Sequence, residues 1–370
     1  MKTIVKVGAA IAAGALVLTG CSSSSDTEAT GDATASAATD AAATDTTAEE
    51  TTDEAAAAGS AGAAEALKVC AIGGADAFFA VLKNGADLAS EAVIQAGNEY
   101  QWIPLPTYDN IGPDMVKLTE QAVAQGCQVL ASPVWDAAAQ APALKAATDA
   151  GVKVFMYNSG LPNLADIDGN CEAGENCVKA EGYYGTDEYL AGVAAGEYFA
   201  RNGSKNVRCV NTQPGAVNWQ QRCGGLIEGA TSQGAKAAEI KLPPETFGDA
   251  AAITAAVQAE LAKDPTIDGF ATGASADADA VDAALAAVGS SAQTGGWDVS
   301  ENVINRIAAG EQLFAVDQQG WYQGWLAVSQ AWMGSQYSIF PAGRVILTGP
   351  ALITKDNAAA VLAGVKDGYR

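Results

Sequence analysis

Polar and aromatic side chains follow the ends of several short apolar runs in this chain. Those that we group together are Asp76, Phe78, Phe79, Ser132, Trp135, Asn158, Asn218, Arg222, Trp297, Asp298 and Gln318. Beside them at the same positions stand Asp136, Ser159, Trp219, Asp317 and Gln319. Carboxylates and amides hold neighbouring hydroxyl groups, a guanidinium donates a fork of hydrogen bonds, and flat rings pack against C–H faces. These residue types together indicate recognition of a small molecule that carries several hydroxyl groups.

Predicted strands and helices alternate from residue 67 onward, and these elements must position the set. Apolar runs predict strands at 67–72, 101–105, 128–132, 152–157, 207–210, 267–271 and 313–316, and residues 294–296 are interpreted as a turn. Stretches with helical spacing predict helices at 78–95, 114–125, 137–150, 187–201, 218–233, 250–262, 277–287 and 321–333. Buried strands separated by helices predict parallel sheets covered on both faces, and this many units favours an α/β fold with two similar lobes. Ligands of such sheets bind beyond the carboxyl ends of the strands, where the polar and aromatic set stands.

Composition excludes several classes of function. The chain has 370 residues, no His, and 20 Lys and Arg against 43 Asp and Glu, which gives a net charge of −23. Without His there is no Ser-His-Asp triad and no His-ligated zinc, and the spacing of the cysteines does not indicate a metal site. An acidic surface repels nucleic acid, so we expect no nucleic-acid partner. We also expect no cofactor and no enzymatic activity.

The first residues indicate export. Residues 1–21 combine Lys2 and Lys6 with a short apolar stretch that ends in Leu18-Thr19-Gly20-Cys21. This ending resembles a bacterial lipobox, in which the Cys is lipidated and becomes the mature N-terminus; the alternative is an ordinary secretory signal. Residues 22–65 are rich in Ala and Thr, acidic and without aromatic residues, which predicts a disordered tether. We therefore expect an extracytoplasmic protein held at the membrane by a lipid on Cys21.

Six further cysteines suit an oxidising compartment, where an even number indicates disulfides. Cys171 and Cys177 flank a short loop, and Cys209 and Cys223 stand at a strand end and at the next helix start, so we predict these two pairs. Cys70 and Cys127 lie on neighbouring strand regions, where two free thiols and a disulfide remain equally open.

The order of these features resembles the sugar-binding lipoproteins of ABC importers, in the type I periplasmic-binding-protein group that includes ribose-binding proteins. The segments that carry the resemblance are GADAFF at 74–79, FMYNSG at 155–160, YGTDEYLAG at 184–192, NWQQRCGG at 218–225, GWD at 296–298 and VDQQ at 316–319. The resemblance spans about residues 67–354. It implies two Rossmann-like lobes joined by three crossings, with residues 66–186 and 319–347 in the first lobe and 187–318 and 348–370 in the second.

The resemblance also assigns contacts by position. Asp76, Phe78, Phe79, Arg222, Asp298 and Gln318 match positions that contact sugars in that group, Trp297 matches an aromatic one, and Phe247 is an opposing stacking ring. Ser132 and Gly273 stand where Asn is usual, and Asn158 and Ser159 replace an Asp and an Arg. These departures make another monosaccharide, a polyol or a cyclitol at least as good a candidate ligand as ribose.

The resemblance implies a monomeric binding protein that delivers its ligand to an ABC permease. Two alternatives stay open at this stage. A receptor that passes a ligand signal to a membrane kinase could use the same pair of lobes, and Asp76 with Asp298 could form the carboxylate pair of a glycosidase.

Overall fold

A computed structural model describes residues 65–160, 165–166 and 178–370 of the chain. The predicted signal, lipobox and tether lie outside the described residues, as does the predicted Cys171–Cys177 pair.

The described chain contains fourteen strands and ten α-helices. The strands are β1 (Lys68–Gly73), β2 (Glu99–Pro104), β3 (Val129–Ser132), β4 (Lys153–Asn158), β5 (Ala165–Asp166), β6 (Val178–Lys179), β7 (Tyr183–Thr186), β8 (Asn206–Asn211), β9 (Lys236–Lys241), β10 (Gly269–Thr272), β11 (Gln293–Trp297), β12 (Phe314–Asp317), β13 (Val345–Gly349) and β14 (Ala351–Ile353). The helices are α1 (Ala77–Gln95), α2 (Ile111–Ala124), α3 (Ala137–Asp149), α4 (Glu188–Arg201), α5 (Val217–Ser232), α6 (Ala250–Lys263), α7 (Ser275–Val288), α8 (Glu301–Ala309), α9 (Gly320–Tyr337) and α10 (Ala358–Lys366). Short 3-10 turns lie at Pro244–Thr246 and Ala342–Arg344.

Two six-stranded sheets organise the fold and confirm the predicted α/β class with two lobes. The first sheet has the order β13-β7-β4-β3-β1-β2 and its strands run parallel. The second has the order β14-β12-β11-β10-β8-β9 and is parallel except for β14, which pairs antiparallel with β12. The chain passes between the sheets after β7, after β12 and again between β13 and β14. We call the first sheet with its helices the first lobe, and the second sheet with its helices the second lobe.

Several elements escaped the sequence prediction. The strands β9, β13 and β14 are half-exposed, and the helices α8 and α10 have only nine residues each. The buried strand β7 was also not predicted. The turn predicted at 294–296 is wrong, because these residues belong to the buried strand β11. Its glycines reflect close packing: a Cβ atom at Gly295 would lie 2.4 Å from the Phe314 ring, and one at Gly296 would lie 2.3 Å from Thr272 Oγ1.

Each lobe contains a disulfide. Cys209 on β8 bonds to Cys223 on α5, which confirms the predicted pair. Cys70 on β1 bonds to Cys127, just before β3, so the question left open for these two cysteines is settled in favour of a bond. The Cys209–Cys223 bond fixes α5 beside the central part of its sheet, directly next to Arg222.

Helices α4 and α5 pack backbone against backbone through glycines. A Cβ atom at Gly196 would lie 2.1 Å from Leu226 O, and one at Gly225 would lie 2.2 Å from Tyr189 O. Since real Cβ atoms do not come so close, these positions require glycine. The contact holds the start of α4 against the middle of α5, which places Glu188 beside Arg222.

We expect Gly225→Ala to lower the free energy of unfolding by about 1–3 kcal/mol, because its methyl group would push the two helices apart. Gly224→Ala is the matched control, since the nearest atom to its Cβ, Tyr189 Cε2, is 3.9 Å away. That substitution should leave stability unchanged or raise it by up to about 1 kcal/mol through helix propensity. Urea denaturation measures both, and equal effects at the two positions would contradict the close-packing argument.

Candidate functional site

A cavity of about 420 Å³, counted with its open mouth, lies where the strand ends of the two lobes face each other. The residues that line it are Asp76, Phe78, Phe79, Tyr108, Ile111, Trp135, Asn158, Gln213, Ala216, Asn218, Trp219, Arg222, Phe247, Ala274, Asp298 and Gln318. Thus the residues grouped from the sequence, apart from Ser132 and Trp297, come together around one space.

Ser132 and Trp297 do not line this cavity. Ser132 is fully buried at the end of β3, and its hydroxyl donates to the carbonyl of Pro133 at 3.0 Å. Trp297 points into the second lobe, where its indole N–H donates to Glu188 Oε2 at 3.1 Å. Trp297 therefore supports Glu188 from behind instead of facing a ligand.

Arg222 is held in a fixed orientation by Glu188, the first residue of α4. Arg222 Nε donates to Glu188 Oε2 at 2.8 Å and Nη2 donates to Oε1 at 2.7 Å, while Nη1 donates to the carbonyl of Gly273 at 2.6 Å. Burial alone would lower the pKa of Arg222, but the charge and hydrogen bonds of Glu188 raise it above its usual value. A guanidinium has five N–H bonds, so two remain for a ligand.

Asp298 follows β11 and has unused hydrogen-bonding capacity. Its Oδ1 accepts from Gln318 Nε2 at 2.6 Å, whereas no described residue donates to Oδ2. Burial raises the pKa of Asp298 to about 7, although Arg222 and Gln318 act in the opposite direction. Asp298 has φ 68° and Asn158, the last residue of β4, has φ 61°. Left-handed backbone at non-glycine residues is often found at functional sites.

Asp76 caps helix α1 on the first-lobe wall. Its Oδ1 accepts from the backbone N–H of Phe79 at 3.0 Å, and its Oδ2 accepts from the Tyr108 hydroxyl at 2.8 Å. Burial raises the pKa of Asp76 despite these bonds. Gly74 makes room for the tyrosine, because a Cβ atom there would lie 2.0 Å from Tyr108 Oη.

Aromatic rings from both lobes form much of the wall. Phe79 and Trp135 meet edge to face at 5.4 Å in the first lobe, and Phe247 bridges the lobes by contacting Tyr108 at 5.3 Å and Trp219 at 6.0 Å. Trp219 fills the space above Gly273, where a Cβ atom would lie 1.9 Å from its ring. The side chain that is absent at 273 is thus replaced by an indole.

A polar network connects the cavity to the crossings between the lobes. Gln323 Nε2 donates to Gln318 O at 2.9 Å and to Thr348 Oγ1 at 3.1 Å, and Gln323 Oε1 accepts from Asn158 Nδ2 at 3.3 Å. The lobes also touch beside the cavity, where Val217 N–H donates to the carbonyl of Trp135 at 2.8 Å. A ligand that moves Asn158 or Gln318 would therefore act on the crossings directly.

Buried acceptors at the cavity have no partner. Asn218 Oδ1 and Gln318 Oε1 are shielded from water, and no described residue donates to them. An unpaired buried polar group is unfavourable, so such atoms indicate positions where a ligand completes the hydrogen bonding.

The sequence interpretation missed several residues of this site. Tyr108 and Gln213 come shortly after β2 and β8, so the rule that placed the other residues at strand ends could have found them. Trp219 stood beside Arg222 but was not assigned a ligand contact. Glu188 comes just after β7, a strand that the sequence did not predict, and Gln323 lies inside α9, so the rule had no signal for either.

Two α/β lobes with a polar and aromatic cavity between them define a two-lobed binding protein. The sequence profile of the "Periplasmic binding protein domain" family matches residues 67–334, and the chain belongs to this family. It is a solute-binding protein and not an enzyme, which removes the glycosidase alternative. Proteins of this family work outside the cytoplasm.

Solved structures share the fold. A carbohydrate transporter from Acidothermus cellulolyticus 11B in complex with myo-inositol is 27% identical, with a TM-score of 0.70, over 82% of this chain and 100% of that chain. An ABC transporter solute-binding protein from Burkholderia graminis C4D1M in complex with D-arabinose is 23% identical, with a TM-score of 0.65, over 80% and 97%. An ABC transporter solute-binding protein from Mycobacterium smegmatis with bound glycerol is 18% identical, with a TM-score of 0.65, over 80% of this chain and 97% of that chain. No curated protein matches the sequence. Among the described residues, no helix is long and apolar enough to cross a membrane.

Proposed function

We propose that the protein captures a small polyhydroxylated solute, either a monosaccharide, a polyol or a cyclitol, and delivers it to the permease of an ABC importer. The observation that carries this proposal is the cavity shared by both lobes. There Arg222 and Asp298 keep unused hydrogen-bonding capacity, and Asn218 and Gln318 present buried acceptors without partners. Hydroxyl groups can satisfy both kinds of group, because each donates one hydrogen bond and accepts others.

The most similar of the structures described above supports a ring-shaped ligand. That protein holds myo-inositol and shares 27% identity over its full length. In this chain Phe79 and Trp219 stand on opposite lobes of the cavity, where each could pack against a C–H face of such a ring.

A thermal-shift screen of pentoses, hexoses, polyols and cyclitols tests the proposal, because a ligand that binds only the folded state raises the melting temperature. A compound that shifts the wild type should fail to shift Asp298→Ala. Arg201→Ala, which removes an exposed arginine of α4, is the control and should respond like the wild type. If no compound of the panel shifts the folded, ligand-free protein, the proposal is wrong.

Closure of the lobes is the expected response to the ligand. Asp76 and Phe79 lie on the first lobe while Arg222 and Asp298 lie on the second, so a ligand gains all its contacts only when the lobes approach. Small-angle X-ray scattering of protein stripped of ligand should therefore show a radius of gyration that decreases when the ligand from the screen is added. An unchanged radius at saturation would indicate a rigid binder and would contradict import by a loaded, closed form.

Anchoring through Cys21 is part of the same proposal, since an importer needs its binding protein near the permease. Mass spectrometry of the membrane fraction should find Cys21 as a lipid-modified first residue. Cys21→Ala should release the protein from membranes, and a variant that stays equally bound would contradict the lipid anchor.

Delivery to a permease is tested by uptake of the radiolabelled ligand from the screen. Deletion of the gene should abolish uptake, and complementation should restore it. Unchanged uptake together with loss of a ligand-induced transcriptional response would favour the sensing receptor instead.

A further inference from the structure

Negatively charged groups outnumber positively charged ones at the cavity. Arg222 supplies the positive charge among the described lining residues, and Glu188 already neutralises it through two hydrogen bonds in a buried pair. The carboxylates of Asp76 and Asp298 also face the cavity, and neither forms an ion pair with a described residue. When all four groups are ionised, the site carries two negative charges that are not balanced.

Besides the two N–H bonds that Arg222 keeps for a ligand, the groups that lack partners at the cavity are acceptors. Asp298 Oδ2, Gln318 Oε1 and Asn218 Oδ1 receive no hydrogen bond from a described residue. The orientation of Gln318 follows from its neighbour, because its Nε2 donates to Asp298 and its Oε1 must then point away. A ligand that completes this site has to donate hydrogen bonds near Asp298.

The aromatic rings around the cavity also favour a positively charged ligand. Phe79, Trp135, Trp219 and Phe247 belong to its wall. The face of an aromatic ring is electron-rich and attracts cations, most strongly where water is excluded. An ammonium group has three donors and no acceptor, so it matches both the unpaired acceptors and the sign of the charge.

We propose that the cavity selects a polyhydroxylated ligand that carries a protonated amino group, such as an amino sugar or an aminocyclitol, over its neutral counterpart. This inference rests on the proposed function and names the chemical class of its ligand. Glu188 sets the preference, because without its charge Arg222 would repel an ammonium group. Ligands that bear a carboxylate or phosphate are disfavoured when Asp76 and Asp298 are ionised, since these carboxylates repel them and Arg222 is already neutralised.

Isothermal titration calorimetry at pH 7 tests the inference with matched pairs of probes: D-glucose and D-glucosamine, D-galactose and D-galactosamine, and scyllo-inositol and scyllo-inosamine. We expect the amino member of at least one pair to bind about tenfold or more tightly than its neutral partner, and D-glucuronate and glucose 6-phosphate not to bind. If neutral members bind and no amino partner binds more tightly, the inference is overturned while the proposed function survives. If no probe binds and the wider screen also finds no ligand, the proposed function fails and the inference fails with it.

Glu188→Gln separates a charge effect from a structural one. Glutamine keeps an acceptor for Arg222 and Trp297 but removes the negative charge, so the ratio of amino to neutral affinity should fall by about tenfold. A merely structural role would weaken both members equally and leave the ratio unchanged, which would overturn the role given to Glu188. Glu91→Gln removes the same charge from the exposed side of α1 and should leave the ratio as in the wild type.

Discussion

Replacement of Arg222 by methionine should lower the free energy of unfolding by about 3–5 kcal/mol, which is among the largest effects of any substitution we consider. Arg222 and Glu188 form a pair with only 4% and 1% of their side chains exposed. Methionine fills much of the same volume, but it leaves the Glu188 carboxylate buried without a counter-charge. Guanidinium chloride denaturation measures the loss.

The double variant Arg222→Met with Glu188→Gln tests whether the unpaired charge causes this loss. Glutamine removes the charge and still accepts from Trp297 Nε1, so the double variant should recover most of the stability while ligand binding stays lost. Arg201→Met, which breaks an exposed pair with Glu197, should change stability by only about 0–1 kcal/mol. A double variant as unstable as Arg222→Met would show that lost packing, and not charge, is responsible.

Asp298→Asn should make the ligand-free protein more stable at pH 8, by up to about 4 kcal/mol, while it weakens ligand binding. Burial raises the pKa of Asp298 from 3.8 to about 7 in the folded state. At pH values between 3.8 and about 7, Asp298 keeps a proton in the folded protein that it releases in the unfolded chain. The contribution of Asp298 to stability is therefore fully present below pH 4 and is lost as the pH rises through 7, and asparagine removes this loss.

Thermal unfolding from pH 4 to pH 8 measures this dependence. The gain from Asp298→Asn should be small at pH 4 and should grow toward pH 8. Asp264→Asn is a control of opposite sign, because hydrogen bonds from Thr266 and Asn206 lower the pKa of Asp264 to about 2. Its removal should destabilise the protein at pH 8. If Asp298→Asn also lowers stability at pH 8, then Arg222 and Gln318 stabilise the ionised carboxylate of Asp298 more than burial destabilises it.

Much of the fold was accessible from the sequence because the central strands are short, apolar and bounded by polar residues. Strand β1 and helix α1 illustrate this, since the apolar run ends in two glycines and Asp76 caps the next helix. Strand β11 was missed because Gly295 and Gly296 are typical of turns. Only the tertiary structure shows that they allow Phe314 and Thr272 to approach.

Some residues of the site could likewise be predicted from the sequence, and others could not. The rule that ligands bind at strand ends placed Asp76, Asn158 and Asp298 correctly at the cavity, because it depends on topology and not on details of packing. It failed for Trp297, because adjacent residues point in opposite directions and only Asp298 faces the cavity. It could not find Glu188, whose contact with Arg222 exists only because α4 and α5 meet through glycines. The contacts of Asp76, Asn158 and Asp298 with a ligand stay predictions.

The two indoles at the cavity give the protein an internal optical signal. Trp135 lies on the first lobe and Trp219 on the second, only 3% and 6% exposed, and Phe247 contacts the second of them. The emission of an indole changes in wavelength and intensity when the polarity around it or a neighbouring quenching group changes. Entry of a ligand would replace water beside both rings, and separation of the lobes would wet them. Steady-state tryptophan fluorescence of the unlabelled protein should therefore report occupancy, and Trp135→Phe and Trp219→Phe would assign the signal to one lobe or the other.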